Sequence, residues 1–289
     1  MPIVVGLPEV AEGDDMNRRV GPAAALFAGA AMSIAGCAQS GDAGRPAGAA
    51  QRQATSPPPA SAPPAAAPPA ATATPSPART SPEARRKLEP GARNADVEAL
   101  QRRLEQLNYD PGKIDGRYGP ATLQAVWAFQ KVNRLKVRSA VGKRVWRALA
   151  DPRTPKALTK KREDDRVDID LDRQYLVVYK DGEPALISHI SSGGGYHYCA
   201  KDPGSDTPRC RYAITSTGDF RTGRRVGGWD DGPLGALYKP VYFNGGIAVH
   251  GYPSVPLSPV SHGCVRIPMQ TADRFQKLVG TNVPVHVRD

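Results

Sequence analysis

The sequence predicts a multidomain chain, a small three-helix domain followed by a mainly β domain that carries one short helix. Three observations lead to that expectation. Residues 89–150 repeat apolar side chains at intervals of three and four, whereas from Arg166 onward apolar and charged residues alternate with a period of two. Ahead of both, residues 38–88 are Ala, Pro, Ser and Thr with almost no large apolar side chain, and so cannot bury a core. The 289 residues include 29 Pro and 29 Gly, unevenly spread, which leaves less chain for packed domains than the length suggests.

Residues 1–37 read as an export signal. Met16-Asn17-Arg18-Arg19 is a short positive segment, and the small, apolar run from Val20 to Ala35 is too short and too weakly hydrophobic for a membrane span. Met1 to Asp15 carries Glu9, Glu12, Asp14 and Asp15, the wrong sign for the start of a signal, so synthesis is expected to begin at Met16. Ile34-Ala35-Gly36-Cys37 resembles a bacterial lipobox. That resemblance implies cleavage before Cys37, a lipid on its thiol and anchorage to the outer face of the cell membrane; an ordinary signal peptide with a nearby cysteine is the alternative. The proline-rich segment 38–88 then forms a semi-rigid tether of about 3 Å per residue, with a reach on the order of 100 Å.

In the helical domain, Val97, Leu100, Leu104 and Leu107 form one apolar stripe that opens at Asn94 as N-cap. A second helix begins at Pro120 and carries Leu123, Val126, Trp127 and Gln130; Val141, Val145 and Leu149 mark a third. Asp110 to Gly119 is a turn-rich loop between the first two. In the β domain, Val167, Ile169 and Leu171 alternate with charges, and Tyr175 to Tyr179 is a second strand. Asp181-Gly182 joins it as a hairpin turn to Ala185–Ile190. Gly246 to Val249 delivers His250 at its end, Ala272, Phe275, Leu278 and Val279 fit a short helix stopped at Gly280, and Val283, Val285 and Val287 form a last strand.

The formal charge of +11 is not arranged as a basic stripe interleaved with aromatics, and no zinc-finger or helix-turn-helix spacing occurs, so nucleic acid is not an expected partner. A polyanion such as a cell wall suits the charge better. Of the four cysteines, Cys37 belongs to the lipobox, and Cys264 sits in Ser261-His262-Gly263-Cys264-Val265-Arg266 with His250-Gly251 upstream. A thiol with imidazoles in reach is the layout of a cysteine acyl-transfer site, because the thiolate is the reactive form. Cys199 and Cys210 remain, an even pair in a polar segment of an exported chain, and are expected to form a disulfide; two reduced thiols are the alternative. Zinc is poorly served, since His-x-Cys supplies two ligands and no second pair has supporting spacing. No metal or other cofactor is expected.

Two family resemblances rest on these residues. Leu100-Gln101, Leu104, Leu107, Tyr109, Asp115-Gly116, Tyr118-Gly119, Thr122, Ala125-Val126 and Phe129-Gln130 resemble the three-helix peptidoglycan-binding domain. The sequence departs from it at Arg138-Ser139, where that family often has Asp-Gly. His250-Gly251 and Ser261 to Arg266 resemble the active-site signature of the L,D-transpeptidase (YkuD-type) domain over residues 164–288, a β sandwich; Thr215-Ser216-Thr217-Gly218-Asp219-Phe220 is similar to its Thr-Pro-x-Gly-x-Phe segment, with Ser216 in place of proline. The resemblance implies acyl transfer on peptidoglycan stem peptides. Cys264 attacks the carbonyl before the terminal D-alanine, and an amine of a neighbouring stem resolves the thioester. His250 is then the base, with a backbone carbonyl near Gly251 fixing its tautomer. Ser261 and His262 shape the loop near the thiol, Gly263 and Cys264 offer backbone N–H groups to the oxyanion, and Arg266 braces the loop or binds a substrate carboxylate. Tyr238 and Tyr242 line the cleft or pack in the core. The implied partners are stem peptides and wall glycan, with the membrane reached through the lipid. An L,D-carboxypeptidase, with water as acceptor, and a non-catalytic wall-binding lipoprotein remain the alternatives.

Overall fold

A computed structural model describes residues 86–161, 163–202 and 204–289. The expected signal, the Met16 start, the lipobox Cys37 and the tether up to residue 85 lie outside the described residues. Among the described residues, no helix is long and apolar enough to cross a membrane.

Three helices come first. In α1 (Ala95–Gln106) the Asn94 side chain accepts the Val97 N–H at 3.1 Å, as an N-cap should. Next, α2 (Pro120–Val132) opens on proline, whose missing N–H has no helical partner to lose there, and α3 (Lys143–Ala150) follows. Val97, Leu100 and Leu104 pack with Val126 and Phe129 of α2 and with Trp146 and Leu149 of α3. One buried amide organises the 110–119 loop. Gln101 Nε2 lies 3.0 Å from each of Asp115 Oδ1, the Arg117 carbonyl and Thr122 Oγ1, while its Oε1 accepts the Asp115 and Gly116 N–H groups at 3.0 and 2.9 Å.

The strands are β1 (Arg166–Asp170), β2 (Tyr175–Lys180), β3 (Glu183–His189), β4 (His197–Lys201), β5 (Pro208–Tyr212) and β6 (Gly218–Arg221). Then come β7 (Trp229–Gly232), β8 (Gly235–Asn244), β9 (Ile247–Tyr252), β10 (Val265–Pro268), the helix α4 (Met269–Leu278) and β11 (Pro284–Arg288). They form a five-stranded sheet in the order β3-β2-β1-β11-β6, a four-stranded sheet in the order β10-β9-β8-β7, and a separate β4-β5 ribbon. The chain is thus multidomain, helical and then mainly β. Asp181 and Gly182 both have positive φ, 52° and 82°, the conformation a two-residue I′ turn demands of the β2–β3 hairpin. His250 is not at the end of its strand, because β9 continues through Gly251 to Tyr252. The apolar run stops at Val249, but the backbone pairing does not.

Each face of the five-stranded sheet has a cover. Val167, Ile169, Leu176, Val178 and Leu186 meet Val241, Val249, Val265 and Ile267 of the second sheet, together with Phe275 of α4. The alternate residues Tyr175, Val177, Tyr179 and Ile187 enter the helical core beside Tyr109 and Phe129. The contact is also hydrogen-bonded: Ile187 N–H donates to the Asn108 carbonyl at 2.8 Å, and Asn108 Nδ2 to the Pro184 carbonyl at 2.7 Å. Deleting residues 86–150 should therefore expose four large side chains, each worth roughly 1.5–3 kcal/mol when buried. The truncated β domain is expected to unfold at markedly lower urea than the longer chain; equal midpoints would show that the helices contribute nothing to its stability.

Candidate active site

The parallel pairing of β9 with β10 sets Val249 opposite Val265 and His250 opposite Arg266. Val249, Val265 and Ile267 are buried in the core between the sheets. The two-residue period of a strand then turns His250 and Arg266 to the other face, and Cys264, two residues before Arg266, shares it. Gly251 has no room for a side chain, since a Cβ there would stand 2.8 Å from Tyr238 Cδ1 and 2.9 Å from Ala272 Cβ.

The segment before Cys264 is braced from three sides. Ser261 Oγ donates to the Cys264 carbonyl and accepts the Gly263 N–H at 3.0 Å. Gly263 has φ 135°, and a Cβ on it would lie 2.8 Å from Ile247 Cδ1. Thr215 Oγ1 donates to the Gly263 carbonyl at 2.6 Å and accepts the Gly193 N–H at 2.9 Å. Ser261 is tied further to residues 192 and 194, its N–H donating to the Ser192 carbonyl at 3.0 Å and its carbonyl accepting the Gly194 N–H at 2.9 Å. The Gly263 N–H is thus committed to Ser261, a difference from its expected role as a free oxyanion donor.

His250 is buried, and its Nδ1 lies 2.9 Å from the Gly251 carbonyl. A carbonyl only accepts, so this contact places the proton on Nδ1 and leaves Nε2 as the bare nitrogen. Burial, with a smaller repulsion from Arg266, pushes His250 down to about 4, so the ring is neutral near pH 7. Burial raises the Cys264 thiol, opposed by the Ala248 backbone and by Arg266. The resting pair is consequently a neutral thiol and a neutral imidazole. The Arg266 guanidinium lies 4.0 Å over the Tyr252 ring, and its Nε is buried with no hydrogen-bond partner among the described residues. The Arg266 backbone exchanges hydrogen bonds with Ser191 at 3.0 and 3.1 Å.

His250, Ser261, His262, Cys264 and Arg266 all line one cavity of about 950 Å³. Its walls come from segments that have no apolar period to betray them. One is the β4–β5 ribbon, with Tyr198, Arg211 and Tyr212; another is the β7–β8 hairpin, with Trp229 and Asp231. His262 is set edge-on against Tyr196 and Tyr198, with ring centroids 5.4 and 4.7 Å apart. Cys199 faces Cys210 across the ribbon and is bonded to it, so the disulfide staples a wall of the cavity. Tyr242 lines the cavity and donates to Asp230 Oδ2 at 2.6 Å, whereas Tyr238 packs on the core and donates to Asp273 at 3.0 Å. Thr215, Tyr198 and Tyr252 are contributors that the sequence reading did not single out as site residues. Of these, Tyr252 was accessible, two residues beyond His250 and therefore on the same strand face. Among the described residues, no group of three or more His, Cys, Asp or Glu is placed to hold a metal.

The crystal structure of an L,D-transpeptidase from Xylanimonas cellulosilytica (residues 123–326) is 36% identical in sequence, with a TM-score of 0.63, over 71% of this chain and 98% of that one. This chain belongs to the L,D-transpeptidase family. Residues 164–287 match the L,D-transpeptidase catalytic domain family (YkuD), and residues 93–149 match a peptidoglycan binding domain family. An L,D-transpeptidase from Stackebrandtia nassauensis is 19% identical over 70% of this chain and 95% of its own, with a TM-score of 0.40. One from Mycobacterium smegmatis is 22% identical over 44% of this chain and 59% of its own, with a TM-score of 0.33. No curated protein matches the chain.

In this L,D-transpeptidase, the Thr215 hydroxyl is the link between the 193 and 263 backbones. Thr215→Val should leave a buried carbonyl and N–H without partners and cost about 1–3 kcal/mol, whereas Thr215→Ser keeps the hydroxyl and should lose less. Chemical denaturation of the two variants checks this; equal losses would mean that the hydroxyl is not the brace.

Proposed function

We propose that this enzyme cross-links peptidoglycan, with Cys264 as nucleophile and His250 as base. The observation that carries the proposal is the placement in one cavity of a half-buried thiol, at the residue that leads into β10, and a Gly251-anchored imidazole on the adjacent parallel strand β9. His250 Nε2 takes the thiol proton as sulfur attacks the carbonyl that joins the third-position diamino acid to D-alanine. The C–N bond then breaks, the proton passes to the leaving amine, and free D-alanine departs from a thioester. An amine of a second stem attacks that thioester, restores the thiol and completes the cross-link. The Cys264 N–H is the proposed oxyanion donor, and Arg266, held over Tyr252, is the proposed anchor for a substrate carboxylate. Ser261, Gly263 and Gly251 position these groups; His262, between two tyrosines, shapes the ribbon wall.

The two family matches suit work in the cell wall. We further propose that residues 1–37 are a lipoprotein signal with its start at Met16, that Cys37 is lipidated, and that 38–88 tether the wall-binding (89–150) and catalytic (164–288) domains to the membrane's outer face. Ile34-Ala35-Gly36-Cys37 supports this. A fatty-acid probe that labels Cys37→Ala as strongly as the native protein would sink it.

Incubation with purified disaccharide-tetrapeptide, followed by mass spectrometry, tests the reaction. Cross-linked dimer is the expected product; tripeptide alone would make the enzyme an L,D-carboxypeptidase, and no change would leave a binding protein.

Because His250 is pushed down to about 4, it stays a competent base well below pH 6.5. The rate of Cys264 acylation by a carbapenem should accordingly hold through pH 6 and fall only as pH drops through about 4–5. An acid limb near 6.5 would count against the neutral pair. Cys264→Ala should abolish the adduct, and His250→Ala should slow it by about 10² or more.

A further inference from the structure

The helical residues and the β domain meet along a second depression, of about 480 Å³, lined from one side by Lys131 and Arg134 and from the other by Asp172, Arg173 and Gln174. Leu257, 43% exposed, closes its edge. Lys131 is only 9% exposed, yet among the described residues its ammonium meets just two acceptors, the Gln174 carbonyl at 2.8 Å and His189 Nδ1 at 2.6 Å. An ammonium has three N–H groups, and a buried cation without an anionic partner is costly. Among the described residues, no carboxylate is hydrogen-bonded to it; Asp170 acts on it through space.

The surroundings add to the cationic character. Arg134, Lys136 and Arg138 are exposed along an extended segment, with Leu135 and Val137 half-buried between them. Arg134 and Gln174 both take positive φ, 57° and 55°, a conformation that favours glycine. Arginine at 134 thus follows the helix at a backbone cost, and places its charge at the depression.

We propose that this cleft is a second peptidoglycan site, in which a stem-peptide carboxylate is held by the Lys131 ammonium between Arg134 and Arg173. The choice of ligand rests on the reading of the protein as a wall cross-linking enzyme. A stem peptide combines carboxylates, the amine of its diamino acid and alanine methyl groups. The cleft offers cations to the first, Asp172 to the second, and Leu135, Val137 and Leu257 to the third. A phosphate polymer would meet the same cations but gain nothing from Asp172 or the aliphatic side chains.

Occupancy of the cleft bears on the catalytic cavity. His189 Nε2 donates to the Val255 and Pro256 carbonyls at 3.1 and 3.0 Å, and Pro253 and Ser254 of the same segment line the cavity around Cys264. One end of the segment therefore faces the nucleophile, and the other, at Leu257, faces the second site. Burial pushes Lys131 down to about 7, against the pull of Asp170, and pushes His189 down to about 3, with Lys131 adding to the effect. Arg134 and Arg173 on one hand and Asp172 on the other are the remaining charges of the cleft. A bound carboxylate favours the ammonium, so binding should take up a proton near pH 7 and weaken as pH rises above it.

The test is calorimetric titration of the Cys264→Ala chain, which cannot turn over, with a soluble stem tetrapeptide. Arg134→Gly should weaken binding about tenfold, the scale of one charge-assisted hydrogen bond, without lowering the melting temperature, since glycine suits that turn. Lys131→Met should weaken binding similarly and abolish the proton uptake. Tetrapeptide with its carboxylates amidated should lose the same increment. Unchanged affinity in both variants overturns the proposal, as does equal competition by a polyglycerol phosphate. The cross-linking assay on the native enzyme is separate, so dimer formation without this binding would leave the activity standing and the second site refuted.

Discussion

Because β9 and β10 run parallel in a register that pairs Val249 with Val265, the Cys264 thiol and the His250 imidazole are delivered to one side of the sheet while the core is sealed on the other. A one-residue slip would turn His250 inward and expose Val249, at the expense of both the core and the chemistry. Hydrophobic packing therefore fixes the site: the valines that exclude water set which way the reactive groups point. The crowding around Gly251 and Gly263 belongs to the same constraint, as both glycines let neighbouring groups, the Tyr238 ring and Ala272 methyl at one and the Ile247 side chain and Ile214 carbonyl at the other, approach more closely than a Cβ permits.

The electrostatic state of the pair follows from that geometry. A thiol and an imidazole held together in a buried setting each favour their neutral form, and Arg266 disfavours the charged ring while favouring the charged sulfur. The arrangement suits proton transfer concurrent with attack better than a standing ion pair. Such a thiol is less exposed to adventitious oxidation while it waits for substrate, because the thiolate is the species that oxidants attack.

What was legible in the sequence is what leaves a periodic or motif trace. Cys264 and His250 stand in short distinctive strings, the helices carry their 3.6-residue stripe, and Asp181-Gly182 announces its turn. The β4–β5 ribbon leaves little such trace, because β5 is exposed throughout and β4 half-buries only Tyr198 and Ala200, and its order comes from the cavity it walls and the disulfide across it. β8 is similarly obscured, by Gly235 at its start and Pro240 at its middle. Gln101 shows the opposite difficulty: a polar residue within a family pattern invites a binding role, but here it is a buried staple for its own loop. The unbroken apolar run of β2 had a definite cause that sequence alone could not supply, a second partner on its outer face.

That outer face bears on how such a protein can be inherited. Tyr175, Val177, Tyr179 and Ile187 lie well inside the catalytic family match, yet they complete the core of the helices that precede it. Recombination at the linker between the two matches would join a foreign set of helices to a sheet surface shaped for these. The heritable unit is therefore larger than either domain, and an exchange of wall-binding modules would have to carry the outward-facing half of β2 and β3 along with it.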